Sequence, residues 1–147
     1  MEISLACKEQ IENLSVLFDQ YRVFYKQSSN LEAAKKFLED RFQNNDSVIF
    51  TAIDNGEIVG FTQLYPSFSS VSMKRIWILN DLFVKEGYRR RGIAQLLIGA
   101  VKKYGHKTGA LRIVLATQIS NIAAQTLYES CGYAKEEEFY HYALRLQ

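Results

Sequence analysis

Cysteine and proline are almost missing from this sequence. Two cysteines, Cys7 and Cys131, and one proline, Pro66, occur among 147 residues. Two cysteines so far apart make no disulfide framework, and two reduced thiols in a cytoplasmic protein are expected. His106 and His141 also stand far apart, and no Cys/His cluster has metal-ligand spacing, so no metal is expected. No stretch approaches the ~20 apolar residues of a membrane-spanning helix. The opening Met1-Glu2-Ile3-Ser4 lacks the basic start and apolar run of a secretory signal. A net charge of +2 is too small to imply nucleic acid as a partner. Neither nucleic acid nor a membrane is therefore expected. Linkers, low-complexity tracts and internal repeats are absent too, and the length suits a single domain, 1–147.

What is present is an ordinary globular balance, 48% hydrophobic and 23% charged, with 9 Tyr and 9 Phe to fill a core. Residues 8–25 read as a helix, with Ile11, Leu14, Leu17, Phe18 and Tyr21 at three- and four-residue steps. A second helix fits 31–43, with Ser29 or Asn30 as its cap. Then the period changes. Ser47–Ile53 and Glu57–Tyr65 read as strands joined by Asp54-Asn55-Gly56, a hairpin turn signal. Ser67–Ser72 reads as a polar loop, Lys74–Val84 as a long strand, and Ile3–Ala6 as a short one. Helical spacing resumes at Ile93, Leu96, Leu97, Ala100, Val101 and Tyr104, and Gly105 and Gly109 end that helix. A short buried strand at Arg112–Thr117, a helix at Asn121–Ser130 and a final strand at Phe139–Leu146 complete the order. The strand–helix–strand crossover after Val84 requires part of the sheet to be parallel, giving an α+β mixed sheet.

Two charge runs stand out. Glu136-Glu137-Glu138 reads as a solvated face. Arg89-Arg90-Arg91 does not, because it lies between a hydrophobic strand and an amphipathic helix and leads into Gly92-Ile93-Ala94. A helix start carries free N–H groups and the positive end of the dipole. Gly92 has no Cβ and Ala94 is small, so a ligand can approach the backbone. Guanidinium groups add forked donors for phosphate. Together these make a pyrophosphate cradle. Gly-Lys-Ser/Thr and Gly-x-Gly-x-x-Gly are both absent, which excludes a Walker loop and a dinucleotide fingerprint.

Arg89, Gly92 and Ala94 instead fit Arg-x-x-Gly-x-Ala, which resembles the coenzyme A-binding turn of the GNAT superfamily of N-acetyltransferases. The resemblance continues in Asn121 to Tyr133, where an asparagine begins a helix bearing Leu127-Tyr128 and a Gly132-Tyr133 turn follows. It implies the GNAT fold, a mostly antiparallel sheet with one parallel pair and flanking helices. It also implies acetyl-CoA as cosubstrate and an amine as acceptor. The coenzyme would be held by Leu82, Phe83, Val84, Arg89, Arg90, Arg91, Gly92, Ile93 and Ala94, with Asn121 and Tyr128 on the pantetheine arm and sulfur.

Acetyl transfer to an amine needs donors for a tetrahedral oxyanion, an acid for the departing thiolate and a way for the amine to lose its proton. Tyr128 is the expected acid. Several amine-acetylating relatives carry Glu-Asp before the Leu/Phe-Phe-Val segment; here those positions are Asn80-Asp81, and asparagine is no base at neutral pH. Asp81 is the remaining carboxylate, either as base, directly or through water, or as the residue that only holds the strand bulge or draws the cationic amine. Tyr21, Tyr25, Tyr65 and Trp77 are expected around the acceptor, where rings attract an ammonium. A small-molecule primary amine of polyamine type and a possible homodimer complete the expectations. The alternatives are another acceptor, such as an aminoglycoside, an amino acid or a protein N-terminus, and a non-catalytic coenzyme A-binding domain.

Overall fold

The computed structural model describes residues 1–147, which divide into two compact units, Met1–Ala116 and Thr117–Gln147.

In the first unit five strands form one sheet in sequence order: β1 (Glu2–Leu5), β2 (Val48–Asp54), β3 (Glu57–Ser69), β4 (Lys74–Val84) and β5 (Ile113–Val114). Neighbours are antiparallel except β4 and β5, which are parallel as the crossover requires. Three helices accompany the sheet: α1 (Ile11–Phe24), α2 (Leu31–Asn44) and α3 (Ile93–Lys107). A short 3₁₀ turn at Lys8–Gln10 precedes α1. None of the helices is long and apolar enough to cross a membrane.

Local chemistry sets the boundaries. The Asn30 side chain caps α2 by accepting from the Ala33 N–H at 3.1 Å. Ser29, the other candidate cap, donates instead to the Asp19 carboxylate at 2.6 Å, and the Asn30 N–H donates to the same group at 2.8 Å. Those two donors, the Ser29 hydroxyl foremost, hold the Asp19 carboxyl below its usual range and tie α1 to the start of α2. Asn55 and Gly56 both take positive φ, 49° and 79°, which the two-residue hairpin between β2 and β3 demands.

The core has two parts. Leu14, Leu17 and Phe18 of α1 and Ala34 and Leu38 of α2 pack on Ile49, Ile58, Phe61 and Phe83. Ile93, Leu97 and Val101 of α3 pack on Phe50, Ala52, Val59, Leu64, Trp77 and Leu79. Neighbours such as Ile49 and Phe50 fall in different clusters, as pleated alternation dictates. Burying one such side chain contributes roughly 1.5–3 kcal/mol.

One residue breaks the alternation. Gln63 pairs with Asp81 and Leu64 with Leu79, so Asn80 is an extra residue, a β-bulge. Before it, odd-numbered Trp77 and Leu79 face α3; after it, Phe83 faces α1 and α2 while Leu82 and Val84 face α3. A bulge shifts the side-chain period by one, and that shift serves both clusters from a single strand.

Four expectations need correction. β3 runs on to Ser69, so Ser67–Ser69 is strand, and only residues 70–73 turn. Pro66 is tolerated there because pairing with β2 stops at Leu64, leaving no partner for the missing N–H. The strand expected at Arg112–Thr117 shrinks to Ile113–Val114 and is half-buried. Gly105 lies inside α3, where the helix crosses so near β5 that a Cβ would meet Ile113 Cδ1 at 3.2 Å. Finally, Phe139–Leu146 forms no strand, since it joins no ladder of the sheet.

The second unit centres on α4 (Ile122–Ser130), capped by Asn121, whose side chain accepts from the Ala124 N–H at 3.1 Å. Gln125 donates to the carbonyls of Gln118 and Ile119 and fixes the approach to the helix. The helix closes with Tyr133 N–H bonded to the Tyr128 carbonyl at 3.1 Å and Gly132 at φ 96°.

Deleting Asn80 should destroy the first unit's fold, because Trp77 and Phe83 could no longer serve their separate clusters; a loss of about 4–5 kcal/mol or more is expected. Asn80→Ala keeps the extra residue and should cost about 1 kcal/mol. Thermal unfolding followed by circular dichroism separates the two outcomes.

Candidate active site

The turn between β4 and α3 is built from its ends inward. Lys85 and Tyr88 both donate to the Glu57 carboxylate, at 2.6 and 3.0 Å, which anchors the turn to the β2–β3 hairpin. These contacts hold the Glu57 carboxyl below its usual range, Lys85 contributing most. Arg89 Nε donates to the Val84 carbonyl at 2.9 Å, and its guanidinium lies over the Phe24 and Phe83 rings at 5.1 and 5.3 Å. Arg91 lies over Tyr88 at 5.1 Å. The arginines are thus propped on aromatic faces while staying exposed.

Backbone conformation completes the turn. Gly87, Arg90 and Gly92 all have positive φ, 92°, 63° and 75°. Gly92 is the N-cap of α3 with no side-chain cap, and no acidic residue occupies the first turn. Natural helices usually place a serine, aspartate or glutamate there. Its absence leaves the first N–H groups and the dipole to an outside anion, beside three guanidinium groups. Buried Ile93 pins the helix start to the core, and Ala94 keeps the next position small. These residues fit a pyrophosphate.

β4 supplies an open backbone edge. Its ladder with β5 involves only Trp77 and Ile78, so from Leu79 to Val84 the strand has a sheet neighbour, β3, on one side alone. Leu82, Phe83 and Val84 therefore present peptide groups that an extended ligand can pair with, as an added strand would.

Asp81 lies next to that edge and is 7% exposed. Oδ1 accepts from the Tyr21 hydroxyl at 2.8 Å, Oδ2 from Gln63 Nε2 at 2.9 Å, and the Asn80 amide reaches both oxygens at 3.1 Å. Its backbone carbonyl accepts from the Thr62 hydroxyl at 2.8 Å. All of these donors are neutral, so they orient the carboxylate without cancelling its charge. Tyr21 packs against Tyr25, Phe61 and Phe83 with centroids 5.2–5.6 Å apart. Tyr65 is half-buried, and burial, followed by the Asp81 carboxylate, pushes its phenol up to about 12. Tyr65 accordingly stays neutral where an alkylamine loses its proton.

Most of the residues expected around the acceptor come together here; Trp77 does not. It is 5% exposed, packs with α3, stands 5.4 Å from the Tyr104 ring and donates from Nε1 to Thr108 at 2.9 Å. The bulge turns it away from the face that carries Asp81. Two residues went unnoticed in the sequence. Gln63 is fully buried opposite Asp81, and its Oε1 has no hydrogen-bond partner. Phe24 carries the Arg89 guanidinium. A glutamine in a strand and a phenylalanine at a helix end give no sequence signal of such roles.

In the second unit, Tyr128 is half-buried on α4 with its ring 5.9 Å from that of Tyr133. Burial, and then the proximity of Tyr128, pushes the Tyr133 phenol up to about 12. Asn121 serves as the helix cap.

Comparison with known proteins identifies the family. The profile of the acetyltransferase (GNAT) family matches residues 12–133. The uncharacterized N-acetyltransferase YhfO of Bacillus subtilis is 47% identical over 146 residues, covering 99% of this chain and 98% of that protein. A probable acetyltransferase of Haemophilus influenzae is 37% identical over 115 residues, 78% of this chain and 79% of that one. The crystal structure of a probable acetyltransferase, 42% identical, superposes with a TM-score of 0.96 over 100% of this chain and 99% of its own. This chain belongs to the GNAT family and is an acetyl-CoA-dependent N-acetyltransferase.

Proposed function

We propose that the acceptor is a primary alkylamine of polyamine type. One observation carries this reading: an oriented, anionic Asp81 under a wall of aromatic rings, Tyr21 and Tyr25 foremost. A carboxylate draws an ammonium, and ring faces favour a cation on an alkyl chain. The same arrangement disfavours an acceptor whose amine sits beside its own carboxylate. Gln63 Oε1 adds an acceptor atom behind Asp81.

Coenzyme A is assigned to the turn from Arg89 to Ala94, with its pyrophosphate on the α3 start and its pantetheine arm along Leu82–Val84. Asn121 contributes to the arm while capping α4. In the reaction the neutral amine nitrogen bonds to the thioester carbonyl carbon, and the C–S bond breaks. The Tyr128 hydroxyl gives its proton to the departing sulfur, and the proton lost by the amine leaves toward Asp81 and solvent. Asn80 fixes Asp81 and makes the bulge; it does not take the proton. The small acceptor is a solute, and no nucleic acid or membrane is needed for turnover. The residues described suit a cytoplasmic enzyme.

A panel of amines read by thiol release tests the acceptor directly. Diamines and longer polyamines should turn over before anionic amino acids, and the reverse order would contradict the reading. kcat/KM should rise with pH as free amine accumulates. Asp81→Asn should lower it and steepen the rise, because the substrate must then arrive already neutral; an unchanged pH profile would make Asp81 structural.

Coenzyme A should bind with micromolar affinity, about −7 to −8 kcal/mol. Gly92→Glu should abolish that binding, since it strains a residue at φ 75° and puts a carboxylate on the anion site. Calorimetry giving equal affinities would remove the phosphate from this turn. Tyr128→Phe should cut kcat roughly tenfold to a thousandfold with coenzyme affinity nearly unchanged. An unchanged kcat when chemistry limits turnover would reduce Tyr128 to packing.

A further inference from the structure

Phe24 is the last residue of α1, is 56% exposed and lies outside both core clusters. A ring left half in solvent at a helix end gains little from its own burial. It does meet a cation from the far end of β4. The Arg89 guanidinium lies over Phe24 at 5.1 Å and over Phe83 at 5.3 Å. The two rings are 5.9 Å apart and tilted by 55°, so they form a corner for that group. Tyr25 packs edge-on against Phe24 at 5.3 Å and 78°.

The corner fixes Arg89 before any ligand is present. Its Nε donates to the Val84 carbonyl at 2.9 Å, and its two terminal nitrogens stay free to grip phosphate oxygens in pairs. An arginine side chain loses much rotamer freedom when it is held in one place. Holding it in advance removes that cost from the binding step. The supports differ in origin. Phe83 and Val84 belong to β4, and Tyr88, under Arg91, belongs to the turn itself. Phe24 is the support that comes from another element, the helix whose Tyr21 orients Asp81.

We propose that Phe24 is a positioning residue for coenzyme A, acting through Arg89. α1 then serves both halves of the site: Tyr21 toward the acceptor and Phe24 toward the phosphate. The inference rests on the assignment of the coenzyme to the turn from Arg89 to Ala94. It requires a ring at position 24. An aliphatic side chain would still cover the arginine stem, but it lacks the negative ring face that attracts a guanidinium.

Calorimetry with coenzyme A alone tests this, and no acceptor is needed. Phe24→Leu should weaken binding roughly three- to tenfold, whereas Phe24→Tyr, which keeps the ring, should bind as the wild type does. Arg89→Ala should weaken binding further. Adding Phe24→Leu to Arg89→Ala should then change nothing, because the group through which Phe24 acts is gone. A ring that merely steadied the end of α1 would cost the same factor in both backgrounds. Because Phe24 is exposed and outside the core clusters, all four variants should keep the wild-type circular dichroism spectrum. Unchanged affinity in Phe24→Leu, an equal loss in Phe24→Tyr, or additive losses in the double variant would each overturn the proposal. Wild-type affinity in Arg89→Ala would overturn it together with the coenzyme assignment, which distinguishes the two failures.

Discussion

The single extra residue at Asn80 decides what the long central strand can do. β4 must face α3 with Trp77 and Leu79 and face α1 with Phe83, and strict alternation forbids that. The bulge resolves the conflict and aims Asp81 toward Tyr21 and Gln63. On the other side of β4 the pairing with β5 has already ended at Ile78, so the edge from Leu79 to Val84 is open beside an oriented carboxylate. Core packing and the orientation of Asp81 thus share one local irregularity.

The turn that follows uses the same economy of means. A helix start is a place where proteins normally supply a cap, and α3 has none. The three exposed arginines next to it would repel one another without an anion. Two of them rest on aromatic rings, which holds the charge in place at low entropic cost. The chemistry of such a turn lies in what is left unsatisfied, namely N–H groups and positive charge, which an anion would satisfy.

Much of this was legible in the sequence because it rests on local rules. The Asn55-Gly56 hairpin, the Asn30 and Asn121 caps, the helical period after Gly92 and the Arg-x-x-Gly-x-Ala turn each follow from neighbours within a few residues. What was not legible depends on register. Trp77 reads as a candidate acceptor residue until the bulge turns it toward α3, and no sequence feature marks Asn80 as an extra residue. Gln63 gives no sequence signal of its place and is fully buried. Phe139–Leu146 reads as a strand, and its pattern is real, but a strand exists only with a partner.

The central claim is that the β4 edge and the α3 turn form one binding surface organised by the bulge. Amide hydrogen exchange across β4 and the turn, with and without coenzyme A, tests it most directly. The account predicts slowed exchange at Gly92–Gln95 together with slowed exchange within Leu82–Val84. Protection at the helix start with no change anywhere in Leu82–Val84 would contradict it, because the coenzyme would then bind without using the open strand edge.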